Sequence, residues 1–242
     1  MKRRKFLLSG SVGVAGLAGC TSLLEPGDEP PVEEDDVDVE VANGDSDNGG
    51  GAETVYDHSF PLTDGLDEQP MLGDPEAENV LITLDDPSCP FCADYHLSEF
   101  PQVRDELIDS GEVRNYMITV DWTQDWAPVA SQYVIGSYEY GGTEALISLY
   151  EQYFRNQDDM SPSNVHQLSE SFVQTISGVP AETLREEVEN NTYEDIVRDN
   201  RERAFASEIN AVPSFVLFRE GEFITTLSGY QDAGTFSTLF EE

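Results

Sequence analysis

The chain has 242 residues, of which 49 are acidic and 12 are basic, and its formal net charge is −37. This charge repels phosphate backbones and anionic headgroups, so the composition excludes a nucleic-acid-binding protein and a protein that binds anionic lipids electrostatically. The chain contains only three cysteines, which excludes a fold built on a network of disulfides.

The first 19 residues have the pattern of an export signal. A basic start that includes Arg3 and Arg4 precedes a small, apolar run that is too short for an ordinary membrane-spanning helix. The paired arginines resemble the twin-arginine export signal, and residues 17–20 resemble a lipobox, in which Cys20 becomes the acylated N-terminus. An uncleaved N-terminal anchor is the alternative. Both interpretations predict a protein held at the cell membrane with its domain on the extracytoplasmic side.

Residues 20–52 are acidic and contain Pro and Gly, with almost no large apolar side chain. Such a segment cannot bury enough surface to fold, so we expect a lipidated, disordered tether. Without residues 1–19 the chain keeps eight basic residues, all arginine, against 49 acidic ones, which gives a charge of −41. Molar salt screens this repulsion, because the Debye length falls to ~3 Å. A lysine-free acidic chain with this signal resembles exported lipoproteins of halophilic archaea.

Residues 53–242 are predicted to form one α/β domain. Its first half has a possible edge strand and then two buried strands with a helical segment between them. Because strand, helix and strand follow one another, the two buried strands are expected to be parallel. Pro101 lacks a backbone N–H and is expected to kink or break the helical segment. The edge strand is 55–60, the buried strands are 80–84 and 113–120, and the helical segment is 89–110.

The second half begins with a helical block from about residue 127 to residue 210. Breaks are expected in this block at 141–142, 161–162 and 178–180, where Gly and Pro interrupt the helical pattern. Two apolar runs at 214–218 and 222–227 then flank a short polar turn, which indicates a hairpin. A helix at 232–240 closes the domain. The predicted order is therefore βαβ, a helical insertion, then ββα.

Cys89-Pro90-Phe91-Cys92 lies where the first buried strand meets the helical segment. The free N–H groups and the dipole at a helix N-terminus favour a thiolate, so Cys89 is expected to be the attacking nucleophile. Cys92, one turn further into the helix, is expected to be shielded and to resolve a mixed disulfide. Pro90 suits the first helical position and restrains the loop. We therefore predict a redox pair.

The chain resembles the DsbA-like thiol-disulfide oxidoreductases of the thioredoxin superfamily. The similar stretches are residues 72–77, residues 89–92 and residues 211–215. The resemblance implies a thioredoxin-like fold with an inserted helical domain, and a cis-proline, Pro213 preceded by Val212, that faces the two cysteines. The backbone beside such a proline would pair with a client chain as an added strand. A trans Pro213 that merely starts an edge strand is the alternative.

Two positions depart from this family. Many relatives carry a buried acid six positions before the first cysteine, where it relays a proton, and here that position is Thr83. Asp85 and Asp86 could substitute through water, but in so acidic a chain we expect both at the surface. Bacterial oxidants often have a histidine between the cysteines, and Phe91 cannot stabilise a thiolate in the same way. The direction of electron flow therefore stays open between an oxidase and a reductase.

The predicted function is disulfide formation or exchange in exported proteins, without a cofactor. The expected partners are exported protein thiols or disulfides, a membrane redox protein that recharges the pair, and the membrane itself through the lipid. One alternative is a lipoprotein that binds a soft metal through Cys89, Cys92 and His96, which have plausible spacing. Another is a solute-binding or adhesion lipoprotein with a structural disulfide, although the loop between these cysteines is too small to stabilise much.

Overall fold

The computed structural model describes residues 55–241. The predicted signal with Arg3 and Arg4, the lipidation site Cys20 and the tether 20–52 lie outside the described residues. Within the described part, no helix combines the length and the apolar character that crossing a membrane requires.

A five-stranded mixed sheet forms the centre of the domain, in the order β1-β3-β2-β4-β5. The central pair, β2 and β3, is parallel as predicted, and the remaining neighbours are antiparallel. β2 is buried from Val80 to Asp85, as expected for a central strand covered on both faces. The strands are β1 Met71–Leu72, β2 Asn79–Asp85, β3 Val113–Thr119, β4 Ser214–Arg219 and β5 Glu222–Ser228.

Seven α-helices follow the predicted pattern. The helical segment after β2 is interrupted at Glu99, two residues before Pro101, and ends in a π-helical turn at Arg104–Ile108. The long helix α3 is interrupted at Gly142, whose φ of 69° and ψ of −168° are open to a residue without Cβ. The helices are α1 Pro90–Ser98, α2 Phe100–Val103, α3 Ala127–Arg155, α4 Val165–Val173, α5 Ala181–Glu189, α6 Glu194–Ala206 and α7 Ala233–Glu241.

The sheet separates two hydrophobic cores. Val80, Ile82 and Leu84 of β2 belong to one core, and Leu81 belongs to the other. The core around Leu81 also contains both cysteines and the buried faces of α1, α3 and α7. Because side chains alternate along a strand, Thr83 and Asp85 point to the same side as Leu81. The residues of β2 that lead into the redox pair therefore face α1 and the helical insertion.

The chain before β2 differs from the prediction. Instead of an edge strand, Val55–Asp57 forms a 3-10 helix, in which Val55 is buried in the core opposite α1. A hydrogen bond between the hydroxyls of Tyr56 and Tyr116 holds this segment against the side chains of β3 rather than along the sheet. Strand β1, which was not predicted, lies at the edge of the sheet beside β3. Its two residues are too few to show the alternation of apolar and polar side chains that marks a strand in a sequence.

Candidate active site

Cys89 is the N-cap of α1, with extended backbone angles of −82° and 122°, and Pro90 is the first helical residue. The Cys89 sulfur accepts a hydrogen bond from the backbone N–H of Cys92 at 3.5 Å. Both cysteines are free thiols; Cys89 keeps 3% of its surface exposed and Cys92 keeps none. The side chain of Phe91, between them, is 61% exposed. A client sulfur therefore approaches Cys89 and cannot reach Cys92 without displacing protein atoms.

The surroundings of the two thiols shift their pKa values in opposite directions. A hydrogen bond from the Cys92 thiol lowers the pKa of Cys89, and the backbone N–H groups of Cys92 and Phe91 lower it further, against burial and the charge of Asp86. Burial raises the pKa of Cys92 well above its ordinary value, and the neighbouring charge of Asp85 acts in the same direction. These surroundings make Cys89 the more acidic thiol of the pair and favour the protonated form of Cys92.

The second part of the site comes from the chain before β4. The peptide bond between Val212 and Pro213 is cis, as expected, and Pro213 is buried. The thiol of Cys89 donates to the carbonyl oxygen of Val212 at 3.4 Å. Antiparallel pairing of Leu84 with Ser214 brings the end of β2 beside the start of β4. The sheet therefore places Val212 next to a cysteine more than 120 residues earlier in the chain.

Asp86 is not on the surface, contrary to the expectation from composition. It is fully buried, and Oδ1 accepts hydrogen bonds from the N–H (2.8 Å) and the hydroxyl (2.6 Å) of Ser88. Oδ2 accepts a third bond from the N–H of Thr123 at 2.7 Å. Burial raises the pKa of Asp86, and these hydrogen bonds oppose the rise. Through these three hydrogen bonds, the buried carboxylate orders the turn before Cys89 and connects it to the chain segment that enters α3.

Asp85 is also buried, although the acidic composition of the chain had led us to expect it at the surface. Its Oδ2 lies 2.8 Å from Nε2 of His96, and both side chains are at most 2% exposed. The other oxygen, Oδ1, has no hydrogen-bond partner among the described residues. His96 follows Cys92 by one helical turn, so the pair lies on the face of α1 that carries the resolving thiol.

The surroundings of His96 differ from those of a metal ligand. Its ring packs against Phe100, Tyr150 and Phe154, with ring centroids 4.8, 5.6 and 5.0 Å away. Within residues 55–241 no group of three or more His, Cys, Asp or Glu side chains is placed to hold a metal ion. The described geometry therefore pairs His96 with a carboxylate and does not assemble the metal site that spacing had suggested.

Thr83 takes a structural place in the sheet. Its hydroxyl donates to Oδ1 of Asn115 at 2.8 Å, and both residues are fully buried. The position that carries an acid in many relatives thus holds a neutral polar pair between β2 and β3. Asp85 lies two residues further along β2, on the same side of the sheet and nearer to the cysteines.

Gln157 is the functional candidate that the sequence pattern did not indicate. It follows α3, and its side-chain NH₂ donates to the carbonyl oxygens of Pro87 and Cys89, each at 3.0 Å. The same side chain lines an open groove of about 370 Å³ beside Pro90. No local motif could have revealed it, because the contact joins residues 68 positions apart.

Comparison with known proteins agrees with this arrangement. A family model described as thioredoxin matches residues 66–234. The oxidised form of BdbD from Bacillus subtilis has a similar structure, with a TM-score of 0.64 at 19% identity, covering 73% of this chain and 92% of that one. No curated protein matches the chain in sequence.

Two further solved structures have the same fold. The alpha-DsbA1 protein of Wolbachia pipientis has a TM-score of 0.59 at 19% identity, covering 72% of this chain and 89% of its own. The DsbA protein of Chlamydia trachomatis has a TM-score of 0.60 at 13% identity, covering 72% and 90%. These likenesses confirm the thioredoxin-like fold with an inserted helical domain. The family model spans most of the described residues and more than half of the sequence, and the chain therefore belongs to the thioredoxin family.

Proposed function

We propose that the chain is an extracytoplasmic thiol-disulfide oxidoreductase that forms or exchanges disulfides in exported proteins through Cys89 and Cys92. The observation that carries this proposal is the asymmetry of the two sulfurs. The pKa of Cys89 is lowered at the start of α1, whereas Cys92 is completely buried and its pKa is raised. An attacking sulfur and a resolving sulfur need these two environments.

The chemistry consists of two exchanges between sulfur atoms. In oxidation, a client thiolate attacks the Cys89 sulfur of the Cys89–Cys92 disulfide, and Cys92 leaves with the electron pair and takes up a proton. A second client thiolate then attacks the client sulfur in the mixed disulfide, and Cys89 leaves as a thiolate. Two electrons pass from the client, whose two thiols become a disulfide, to the enzyme. Reduction of a client disulfide runs through the same steps in reverse.

Cys92 needs a proton partner inside the protein, since it is not exposed to water. Asp85 is the proposed partner. Its charge raises the pKa of Cys92, its Oδ1 has no hydrogen-bond partner among the described residues, and its Oδ2 is held by His96. A proton that passes between Cys92 and Asp85 prevents two buried negative charges from facing each other, which would be costly. His96 orients the carboxylate.

Client chains are proposed to bind across Val212 and Phe91. The carbonyl oxygen of Val212 accepts a hydrogen bond from the Cys89 sulfur, and Phe91, two residues after Cys89, offers a large exposed apolar side chain. Backbone pairing beside Pro213 together with apolar contact at Phe91 would hold many unfolded sequences without strong preference.

The function is tested with the purified full chain and a reduced, unfolded protein that needs one disulfide. In a glutathione buffer, the wild type should accelerate disulfide formation, and Cys89→Ser should not. A wild type no faster than the buffer alone would overturn the proposal. A reductase is the second candidate, favoured by the absence of a cation at Phe91, and a potential near thioredoxin's ~−270 mV would support it.

The cellular location is proposed from residues that lie outside the described part of the chain. Arg3 and Arg4 support twin-arginine export, and Cys20 supports a lipid anchor that keeps the domain near a membrane redox partner. Mass spectrometry of the mature N-terminus tests the anchor. An acylated cysteine at position 20 supports it, and an unmodified cysteine or a mature end elsewhere contradicts it.

A further inference from the structure

The turn that carries Cys89 is held from both ends of the long helix α3. Before the helix, the N–H groups of Thr123 and Gln124 donate to Asp86 and Ser88, at 2.7 and 3.1 Å. After the helix, the side chain of Gln157 donates to the carbonyls of Pro87 and Cys89. The helical insertion therefore contacts the catalytic turn directly, with hydrogen bonds rather than only through packed side chains.

Gln157 makes a specific contribution to this contact. Its single NH₂ group bridges two carbonyls that lie on either side of Ser88, so it fixes the orientation of the peptide planes around Cys89. The carbonyl of Cys89 also accepts the N–H of Ala93 at 3.1 Å, which is a bond of the first turn of α1. A shift of that carbonyl would therefore move Cys89 relative to the start of its own helix.

The position of the Cys89 sulfur matters because hydrogen bonds from uncharged groups stabilise its thiolate. Among the described residues, the groups that lower the pKa of Cys89 are the thiol of Cys92 and the N–H groups of Cys92 and Phe91, and none is a cation. The N–H of Cys92 lies 3.5 Å from the sulfur. Hydrogen bonds weaken steeply as the donor–acceptor distance grows or the bond angle bends, so a small movement of the turn would weaken this stabilisation of the thiolate.

We propose that Gln157 is a positioning residue through which the helical insertion sets the reactivity of Cys89. The proposal deepens the proposed function, because it assumes that Cys89 is the attacking sulfur. Gln157 touches neither sulfur and acts through the carbonyls of Pro87 and Cys89. It also lines the groove beside Pro90, so a client chain that enters this groove would contact the residue that holds the turn.

Two substitutions test the role of Gln157, so that the test does not depend on the folding of a single variant. Gln157→Met keeps the length of the side chain and removes both donors, whereas Gln157→Glu keeps the shape and replaces the donors with acceptors. The matched control is Gln167→Leu, an exposed glutamine on α4 whose side chain makes no hydrogen bond in the described structure. Circular dichroism and thermal melts establish that each variant is folded.

The measurement is the rate of iodoacetamide reaction with reduced Cys89 as a function of pH, in a Cys92→Ala background common to all variants. Gln157→Met should shift the midpoint upward by about one pH unit, equivalent to ~1.4 kcal/mol. Gln157→Glu should shift it at least as far, because its carboxylate adds a negative charge near Cys89. Gln167→Leu should leave the midpoint in place. Folded Gln157 variants with the midpoint of the control would overturn the proposal, even if their melting temperatures fell. This readout uses no client, so it fails or succeeds separately from the oxidoreductase assay.

Discussion

Replacement of Asp85 by Asn should separate the two sulfur exchanges. Asn keeps the shape of the carboxylate and can still accept a hydrogen bond from His96, so the pair loses its charge but not its contact. Asp85 is not among the groups that shift the pKa of Cys89, so the substitution should not act on Cys89 directly. The attack of Cys89 on a client disulfide should therefore proceed at the wild-type rate.

The resolving step should slow, because Cys92 would lose its buried proton acceptor. Positioned general bases contribute typically 10²–10⁴-fold, so we expect resolution at neutral pH to fall by roughly 100-fold. Loss of the negative charge also lowers the pKa of Cys92, which offsets part of this effect and places the expectation at the lower end of the range. The variant should depend on hydroxide, so its rate should rise about tenfold per pH unit.

Rapid-quench experiments with a small disulfide client measure both steps. The mixed disulfide appears as Cys89 attacks and disappears as Cys92 resolves it. Asp121→Asn is the matched control, since Asp121 is a largely buried carboxylate paired with Arg201 at 2.8 Å on another part of the sheet edge. If Asp85→Asn resolves as fast as this control at every pH, or if both steps slow together, the assignment of Asp85 is wrong.

Four further outcomes are expected. Cys92→Ser should accumulate mixed disulfides with client proteins, because the resolving sulfur is gone, while Cys89→Ser should accumulate far fewer; equal trapping in gels after acid quenching would refute the assigned roles. In the reduced protein, Cys89 should react with iodoacetamide below the pH at which an ordinary thiol does, and Cys92 only above it, since their pKa values move in opposite directions; mass spectrometry of the labelled peptides would expose the reverse order. Phe91→His should place a cation beside Cys89 and raise the reduction potential, with ~30 mV for each ~1.4 kcal/mol gained by the reduced form; Phe91→Gln is the uncharged control, and an equal shift in both variants would contradict the charge explanation. Transfer from molar to dilute salt should unfold the chain, because its charge of −41 outside residues 1–19 is then unscreened; an unchanged circular dichroism spectrum and melting curve would remove this expectation.

The parts of the fold that could be predicted are those whose signal is local. The run that forms β2 is apolar over consecutive residues. The helix interruptions near Pro101 and at Gly142 arise from the residues themselves, because proline lacks a backbone N–H and glycine lacks a Cβ atom. The parts that were missed depend on distant contacts. Val55 is apolar and lies near other apolar residues, which suits a strand, but its partners are the side chains of the sheet and not a neighbouring backbone.

The same distinction applies to the candidate site. The motif of Cys89 and Cys92 could be found because it is a short pattern beside a strand end, and the placement of Pro213 was implied by the family resemblance. The expectation that Asp85 lies at the surface was wrong, because the overall acidity of the chain does not determine the burial of one carboxylate at the end of a central strand. Gln157 had no signal, since one glutamine among many becomes notable only when α3 brings it to the catalytic turn.

The oxidising strength of the Cys89–Cys92 disulfide depends on what stabilises the Cys89 thiolate. The folded pKa of Cys89 is below its unfolded value, so this group stabilises the reduced protein fully above the unfolded pKa, and the contribution is lost as pH falls through the folded pKa. Since the disulfide form contains no thiolate, the difference makes the disulfide a stronger oxidant at pH values above the folded pKa of Cys89. Hydrogen bonds from uncharged groups supply the stabilisation, and the charge of Asp86 opposes it. A site of this kind should have an intermediate potential, at which the redox partner of the pair would decide whether clients are oxidised or reduced.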